Sequence, residues 1–249
     1  MTPAGVRLLG PVRVFERDLS TGPSRQQAVF VVLATRIGEP VGSGQLARAV
    51  WPQPVADNAA GRIQNDITGL RRMLRLAGLN SRETLVSVAD GYELRLDPRQ
   101  IDVWQFEKLC RRANAAAALG DHPAAAAAFT AALGLWRGEA LCGVPGPFAE
   151  RERAQLAERE LAATEGLLRA KTRLGSAVDQ TAEVAHLVRL HPDRESLREL
   201  LMITLARSGR RAEALLAFQD TRQTLRPGPE LRRIHDRILA DDGAFTEAS

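Results

Sequence analysis

The sequence has little of several residue types on which many folds and activities depend. The two cysteines, Cys110 and Cys142, lie far apart and match no metal-ligand spacing, so no disulfide is expected. Aromatic residues make up 4% of the chain and hydrophobic residues 45%, which predicts a core of Leu, Ala and Val and favours packed helices. No stretch approaches about 18 uncharged apolar residues, and the N-terminus lacks the apolar run of a signal peptide. We therefore expect a soluble, cytoplasmic protein that does not associate with membranes.

Sequence features of common enzyme classes are also weak. There is no phosphate-cradling GK[ST] loop, and the four histidines are scattered along the chain. Residues 42–47 formally match G-x-G-x-x-A, but they follow Pro40 rather than a buried strand. Ser43 lacks the full G-x-S-x-G elbow and has no partner arrangement. The sequence therefore predicts no catalysis, no cofactor and no metal site.

The charge distribution permits nucleic-acid binding without requiring it. The net charge is +4, with net +3 in residues 1–97 and net +1 in residues 98–249. The basic excess is therefore concentrated in the first part of the chain.

One stretch, residues 56–75, has both the period and the composition of a DNA-binding helix. Its apolar residues recur at offsets of four, three and four, which at roughly 100° per residue forms one core-facing stripe. That stripe is Ile63, Ile67, Leu70 and Leu74. The rest of the helix carries the amide, hydroxyl and guanidinium donors that contact base edges and phosphates. These candidate DNA-binding residues are Arg62, Gln64, Asn65, Thr68, Arg71, Arg72 and Arg75. An ordinary surface helix has the same pattern, so this stretch alone leaves both interpretations open.

The preceding residues indicate a small sheet and two further helices. Two short apolar runs around Gly10-Pro11 predict a small antiparallel sheet. The spacing predicts helices over 24–36 and 43–51, and a proline-rich break separates the second from the candidate DNA-binding helix. Asp57 is the predicted N-cap of that helix.

The residues after it predict a hairpin. TLVSV and YELRL flank Asp90-Gly91, a dipeptide suited to a tight turn. The order of sheet, three helices and hairpin predicts a winged helix-turn-helix domain over residues 1–97. In such a domain the third helix enters the major groove and the hairpin forms a wing.

Residues 98–249 have a helical pattern almost throughout, which predicts a second, all-α domain. Within 193–225, two apolar helices flank Ser208-Gly209, and their combined length of about 33 residues is that of a tetratricopeptide unit. Residues 102–136 and 154–190 predict two more helical hairpins. Such units stack to bury their apolar faces. The stack is either a scaffold that binds a protein partner or a bundle that only packs on the first domain.

Motifs along nearly the whole chain resemble those of the Streptomyces antibiotic regulatory proteins. In the first part these are LLGPVRV (8–14), SRQQAV (24–29), QLARAVW (45–51), IQNDITGLRRML (63–74) and GYELRLDP (91–98). In the second part the motifs resemble the family's bacterial transcriptional activation domain: IDVWQFEKLC (101–110), LWRGEAL (135–141) and ARSGRRAEALLAF (206–218). Their order is more specific than any single motif.

The resemblance implies a fold, partners and contacts. It implies an OmpR-like winged helix-turn-helix domain followed by a tetratricopeptide-like activation domain, in a protein that is mainly α with a small β component. The implied partners are double-stranded DNA at promoter direct repeats, RNA polymerase including its sigma factor, and a second copy of the chain on DNA. The implied target is an antibiotic or other secondary-metabolite gene cluster. The implied groove contacts are Gln64, Thr68, Arg71 and Arg72, to which helix geometry adds Asn65 and Arg75.

The chain departs from the family pattern in three places. Gly69 replaces the usual arginine, and Asp66 stands where a neutral residue is common. Both departures predict weaker DNA binding. The connector at 225–230 is several residues shorter than usual, which leaves the docking of the last helix open. The alternative function is a protein-interaction adaptor or anti-activator that no longer binds DNA well.

Overall fold

The computed structural model describes residues 5–15, 17–18, 24–51, 58–175 and 177–240. This part of the chain is mainly helical and contains two small antiparallel sheets, as the sequence predicts. It forms two compact units, one of residues 1–109 and 131–161 and the other of residues 110–130 and 162–249. No helix of the described part is both long and apolar enough to cross a membrane.

The first unit begins with the predicted N-terminal sheet. Its three short strands, in the order β1-β2-β3, are β1 (Val6–Arg7), β2 (Arg13–Val14) and β3 (Arg17–Asp18). Between the first two strands, Leu8 and Leu9 are fully buried. The chain then turns at Gly10, whose φ of 142° is accessible mainly to glycine.

Three helices follow, close to their predicted positions. They are α1 (Ser24–Ala34), α2 (Ser43–Val50) and α3 (Ala59–Leu76), and a short strand β4 (Val41–Gly42) precedes α2. Helix α1 is buried from Gln27 to Ala34 because apolar residues occur on all its sides. The predicted cap Asp57 and the proline-rich break before it lie outside the described residues.

The hairpin is present, but its turn lies one residue earlier than predicted. A single helical turn, α4 (Ser81–Thr84), leads into β5 (Leu85–Val88) and β6 (Gly91–Leu94). Strand β6 lies between β4 and β5. Gly91 is therefore a strand residue rather than a turn residue. A Cβ atom there would lie 2.0 Å from the carbonyl oxygen of Val41, so close strand approach requires this glycine.

The first unit does not end at residue 97. Helix α5 (Asp102–Ala118) begins with Asp102, which is fully buried. Its carboxylate accepts hydrogen bonds from the backbone amides of Leu8 at 2.8 Å and Leu9 at 3.2 Å. Arg137 donates to the same carboxylate at 2.6 Å. The boundary between a DNA-binding domain and an activation domain at residue 97 stays a prediction. The packed unit itself is larger than residues 1–97.

The remaining helices continue the predicted all-α pattern. They are α6 (His122–Leu133), α7 (Pro147–Arg173), α8 (Ala177–Leu190), α9 (Glu195–Arg207), α10 (Arg211–Thr224) and α11 (Pro229–Leu239). In the second unit, α9, α10 and α11 share one apolar core that includes Met202, Phe218 and Ile234. Gly209, with a φ of 74°, permits the tight turn between α9 and α10.

The shortened connector still allows the last helix to dock. The backbone amide of Gly228 donates to the carboxylate of Glu195 at 2.6 Å. At the other end of α11, Arg211 donates to the carbonyls of Ile238 at 2.9 Å and Leu239 at 2.7 Å. Both ends of α11 are therefore held against α9 and α10 by hydrogen bonds as well as by apolar packing.

Candidate nucleic-acid interface

Helix α3 is oriented as its apolar period predicts. Each residue of the predicted stripe is at most 1% exposed. Six of the seven predicted DNA-binding residues are exposed, and they are Arg62, Gln64, Asn65, Thr68, Arg72 and Arg75. The helix therefore presents a continuous face of cationic, amide and hydroxyl groups.

Asp66 does not belong to that face. Its side chain is 2% exposed and accepts two hydrogen bonds from Arg25 on α1, from Nε at 2.6 Å and from Nη2 at 3.3 Å. The hydrogen bond to Asp66 raises the pKa of Arg25, while partial burial lowers it. The carboxylate of Asp66 therefore lies off the exposed face of α3, with its charge balanced by Arg25, and its predicted effect on DNA binding stays a prediction.

Arg25 has a second contact that fixes its position. Its guanidinium carbon lies 5.5 Å from the centroid of the Trp51 ring, a cation–π arrangement. No pattern in the sequence singles out Arg25. Asp66 could have indicated such a partner, because an acid that lies next to an apolar stripe is rarely buried without a cationic residue beside it.

Arg71 is placed differently from the other predicted contacts. It is half-buried, and its Nε and Nη2 atoms donate to the carbonyl of Leu85 at 3.1 and 2.9 Å. Nη2 also donates to the hydroxyl of Ser87 at 2.9 Å. Arg71 therefore joins α3 to the hairpin and fixes the position of β5 beside the exposed face.

Two other predicted residues have local hydrogen bonds. The hydroxyl of Thr68 donates to the carbonyl of Gln64 at 2.9 Å, which leaves the oxygen lone pairs of Thr68 available as acceptors. Arg75 lies 3.5 Å from the hydroxyl of Ser81, at the limit of a hydrogen bond. Both side chains remain exposed.

The two glycines of α3 lie close to neighbouring side chains. A Cβ atom on Gly69 would lie 2.4 Å from Nε2 of Gln26 on α1, and one on Gly61 would lie 2.6 Å from Oδ1 of Asn58. In both cases the nearest atom is the far end of a flexible side chain, which can move away, so these contacts do not make either glycine a requirement of packing. At Gly69 the side chain of Gln26 occupies the space that a larger residue would need.

Other residues considered from the sequence do not form a site. Among the described residues, no group of three or more His, Cys, Asp or Glu side chains is arranged to hold a metal ion. Cys110 and Cys142 form no disulfide, and Cys142 is exposed.

Comparison with known proteins identifies the family. Residues 101–239 match the family model of the bacterial transcriptional activator domain. The chain is 37% identical over 243 residues to the regulatory protein AfsR of Streptomyces griseus, a match that covers 94% of this chain and 24% of AfsR. It is 32% identical over 251 residues to the regulatory protein DnrI of Streptomyces peucetius, covering 95% of this chain and 92% of DnrI. The chain thus spans about a quarter of AfsR but nearly all of DnrI.

A solved structure agrees with these relatives. It is that of Mycobacterium tuberculosis EmbR in complex with a low-affinity phosphopeptide, with a TM-score of 0.89 and 29% sequence identity. The alignment covers 95% of this chain and 65% of the EmbR chain. The chain therefore belongs to the Streptomyces antibiotic regulatory proteins, the group of bacterial transcriptional activator domain proteins that includes AfsR and DnrI.

Proposed function

We propose that this chain is a sequence-specific activator of transcription that places α3 in the major groove of double-stranded DNA. The observation that carries the proposal is the division of α3 into two sides. Its apolar stripe and its only acid, Asp66, are buried, whereas Arg62, Arg72 and Arg75 are exposed together with amide and hydroxyl groups. A face of this composition combines groups that bind phosphate with groups that contact base edges.

The arrangement around α3 supports a winged helix-turn-helix domain of the OmpR-like kind. Helices α1, α2 and α3 pack on one another, and the β5–β6 hairpin follows them directly in sequence. Arg71 ties this hairpin to α3, as a wing beside a recognition helix requires. In this proposal Arg71 fixes the wing, while the six exposed residues contact DNA.

Residues 101–239 are the proposed activation domain. The α9–α10 hairpin has the length and tight turn of a tetratricopeptide unit, and α11 packs on the same core. We infer that this domain contacts RNA polymerase, including its sigma factor. The proposed target is a promoter of an antibiotic or other secondary-metabolite gene cluster, by analogy with the regulatory proteins AfsR and DnrI.

Two copies are proposed to bind side by side on direct repeats of the promoter. Side-by-side binding predicts two protected half-sites of the same orientation in a footprint, separated by a whole number of helical turns. A protein-interaction adaptor that does not bind DNA is the alternative outcome. No particular observation favours it, since Asp66 is buried and paired with Arg25.

The test is a fluorescence-anisotropy titration of the full chain with promoter fragments from its own gene neighbourhood. The logarithm of the affinity should fall steeply with the logarithm of the salt concentration, because phosphate contacts displace condensed counterions. Arg72→Ala should weaken binding by roughly 1–3 kcal/mol and flatten sequence preference if Arg72 makes a bidentate guanine contact.

The matched control is Arg112→Ala, which removes an exposed arginine of α5 outside the candidate interface. It should bind as the unchanged protein does. Equal loss in Arg72→Ala and Arg112→Ala would contradict a site on α3, and the absence of saturable binding to any fragment would favour the adaptor.

A further inference from the structure

A cleft of about 480 Å³ lies within the first unit, and its lining residues include none from α3. Its walls come from the C-terminal end of α1, the first turns of α5 and the first turns of α7. The volume lies within the range of pockets that bind small metabolites.

Positive charge predominates in this cleft. The lining residues include three arginines, Arg36, Arg151 and Arg159, and two acids, Glu107 and Glu152. Arg159 donates from Nη1 to Glu107 at 2.7 Å, so these two charges offset each other. Within the described residues, the guanidinium groups of Arg36 and Arg151 form no ion pair and no hydrogen bond. Two sets of cationic donors are therefore available to a ligand.

With both acids counted as charged, the cleft still carries a net charge of +1, because three arginines face two acids. Glu152 is half-buried, and burial raises its pKa. The positive charge of Arg159 lowers that pKa, the negative charge of Glu107 raises it, and Arg36 lowers it. A bound anion would raise it further, because a second negative charge close by disfavours ionisation.

The cleft has two aromatic residues, Phe148 and Trp104, and only one of them is already in contact with a cation. The guanidinium carbon of Arg36 lies 5.8 Å from the centroid of the Phe148 ring, so this ring already holds a cation. Trp104 also lines the cleft, and it is 36% exposed. Its ring offers a flat apolar surface in the cleft that the two arginines also line.

We propose that this cleft binds a small aromatic carboxylate, with Arg36 and Arg151 holding the carboxylate and the indole of Trp104 packing against the aromatic body. Guanidinium groups match the planar geometry of a carboxylate and bind it through charge-assisted hydrogen bonds. The inference is independent of the DNA-binding proposal, since it uses no residue of α3.

The experiment is isothermal titration calorimetry of the full chain with benzoate, 2-naphthoate and indole-3-acetate. At least one should bind with a saturable one-to-one heat, and its uncharged amide should bind about tenfold more weakly because a charge-assisted contact is lost. Arg36→Gln and Arg151→Gln should each weaken the carboxylate by a similar factor and leave the amide unchanged. Trp104→Ala should weaken both ligands.

Arg112→Gln, an exposed arginine outside the cleft, is the control and should bind normally. No saturable heat with any of the three acids would overturn the proposal. Equal binding of acid and amide, or equal weakening by Arg112→Gln and Arg36→Gln, would also overturn it. Melting curves of each variant check that a loss of binding is not a loss of folding.

Discussion

Removing the carboxylate of Asp66 should weaken the fold of the first unit without tightening DNA binding. If Asp66 faced phosphate, its replacement would remove repulsion and increase affinity. It is instead 2% exposed and bonded through two oxygens to Arg25, which is 40% exposed. Replacing Asp66 therefore removes a buried ion pair and does not make the exposed face of α3 more positive.

The magnitude lies between the values for buried and surface ion pairs. Breaking a fully buried pair costs about 3–5 kcal/mol, whereas an exposed pair contributes about 0–1 kcal/mol. Because Arg25 is partly in contact with solvent, we expect about 1–3 kcal/mol for either single alanine substitution. Arg25→Ala should be the costlier of the two, since it leaves a buried carboxylate unpaired, whereas Asp66→Ala leaves a guanidinium that can reach water.

Tryptophan fluorescence isolates the relevant transition. The chain's three tryptophans, Trp51, Trp104 and Trp136, all lie in the first unit, so urea unfolding followed by their emission reports that unit. The two single variants and the double variant form a double-mutant cycle, which separates the pairwise energy from other losses. Asp66→Asn, which keeps the side-chain volume, is the control for the cavity that alanine leaves.

Two results would refute this reasoning. A coupling energy near zero would mean that the pair does not stabilise the unit. The second result is that the Asp66→Asn variant binds promoter DNA more tightly than the unchanged chain and with a steeper salt dependence. This would mean that the carboxylate of Asp66 repels DNA phosphate.

Three further predictions concern Gly69, Asp102 and Gly91. Gly69→Ala should change the melting temperature little, because Gln26 opposes the gain in helix propensity; in a Gln26→Ala background the same substitution should stabilise by about 1 kcal/mol in thermal melts. Burial raises the pKa of Asp102, so the folded chain binds a proton at this carboxyl more tightly than the unfolded chain does. The free energy of unfolding therefore includes a stabilising contribution from Asp102 in acid, and this contribution is lost as the pH rises through the pKa of the folded state. Urea unfolding should therefore show the unchanged chain gaining stability over Asp102→Asn between pH 7 and about pH 4, and the opposite trend would contradict this. Gly91→Ala should detach β4 from β6 and lower stability by roughly 2 kcal/mol or more, seen as faster amide exchange of β6; unchanged exchange would contradict the close approach.

The features that the sequence predicts best are those set by the spacing of residues within a few helical turns. The spacing from Ile63 to Leu74 determines which side of α3 is buried, and the structure agrees with it residue by residue. The Ser208-Gly209 turn is equally local, since a glycine there permits the positive φ that ends α9. Both predictions use information contained within a few turns of helix.

What the sequence did not predict depends on distant partners. Asp66 and Arg25 lie 41 positions apart, and the period of α3 alone cannot say which residue of α1 meets the carboxylate. The dipeptide Asp90-Gly91 matches a turn motif, but Gly91 is needed because β4 approaches it from another part of the chain. Arg71 is predicted to contact DNA, and the sequence does not reveal that its Nε and Nη2 atoms donate to the hairpin. Propensity identifies the elements, and tertiary packing decides what each side chain does.

The tie between Asp102 and the N-terminal sheet also has a consequence for synthesis on the ribosome. The amide of Leu8 pairs with a residue 94 positions later, and its carbonyl accepts a hydrogen bond from the amide of Leu141. Chain growth at about 5–20 residues per second means that this first sheet waits several seconds for the partners that complete it. Its buried leucines, Leu8 and Leu9, must remain exposed through that interval. We therefore expect nascent chains stopped before residue 102 to recruit chaperones that bind apolar segments, and chains extended past residue 141 to release them.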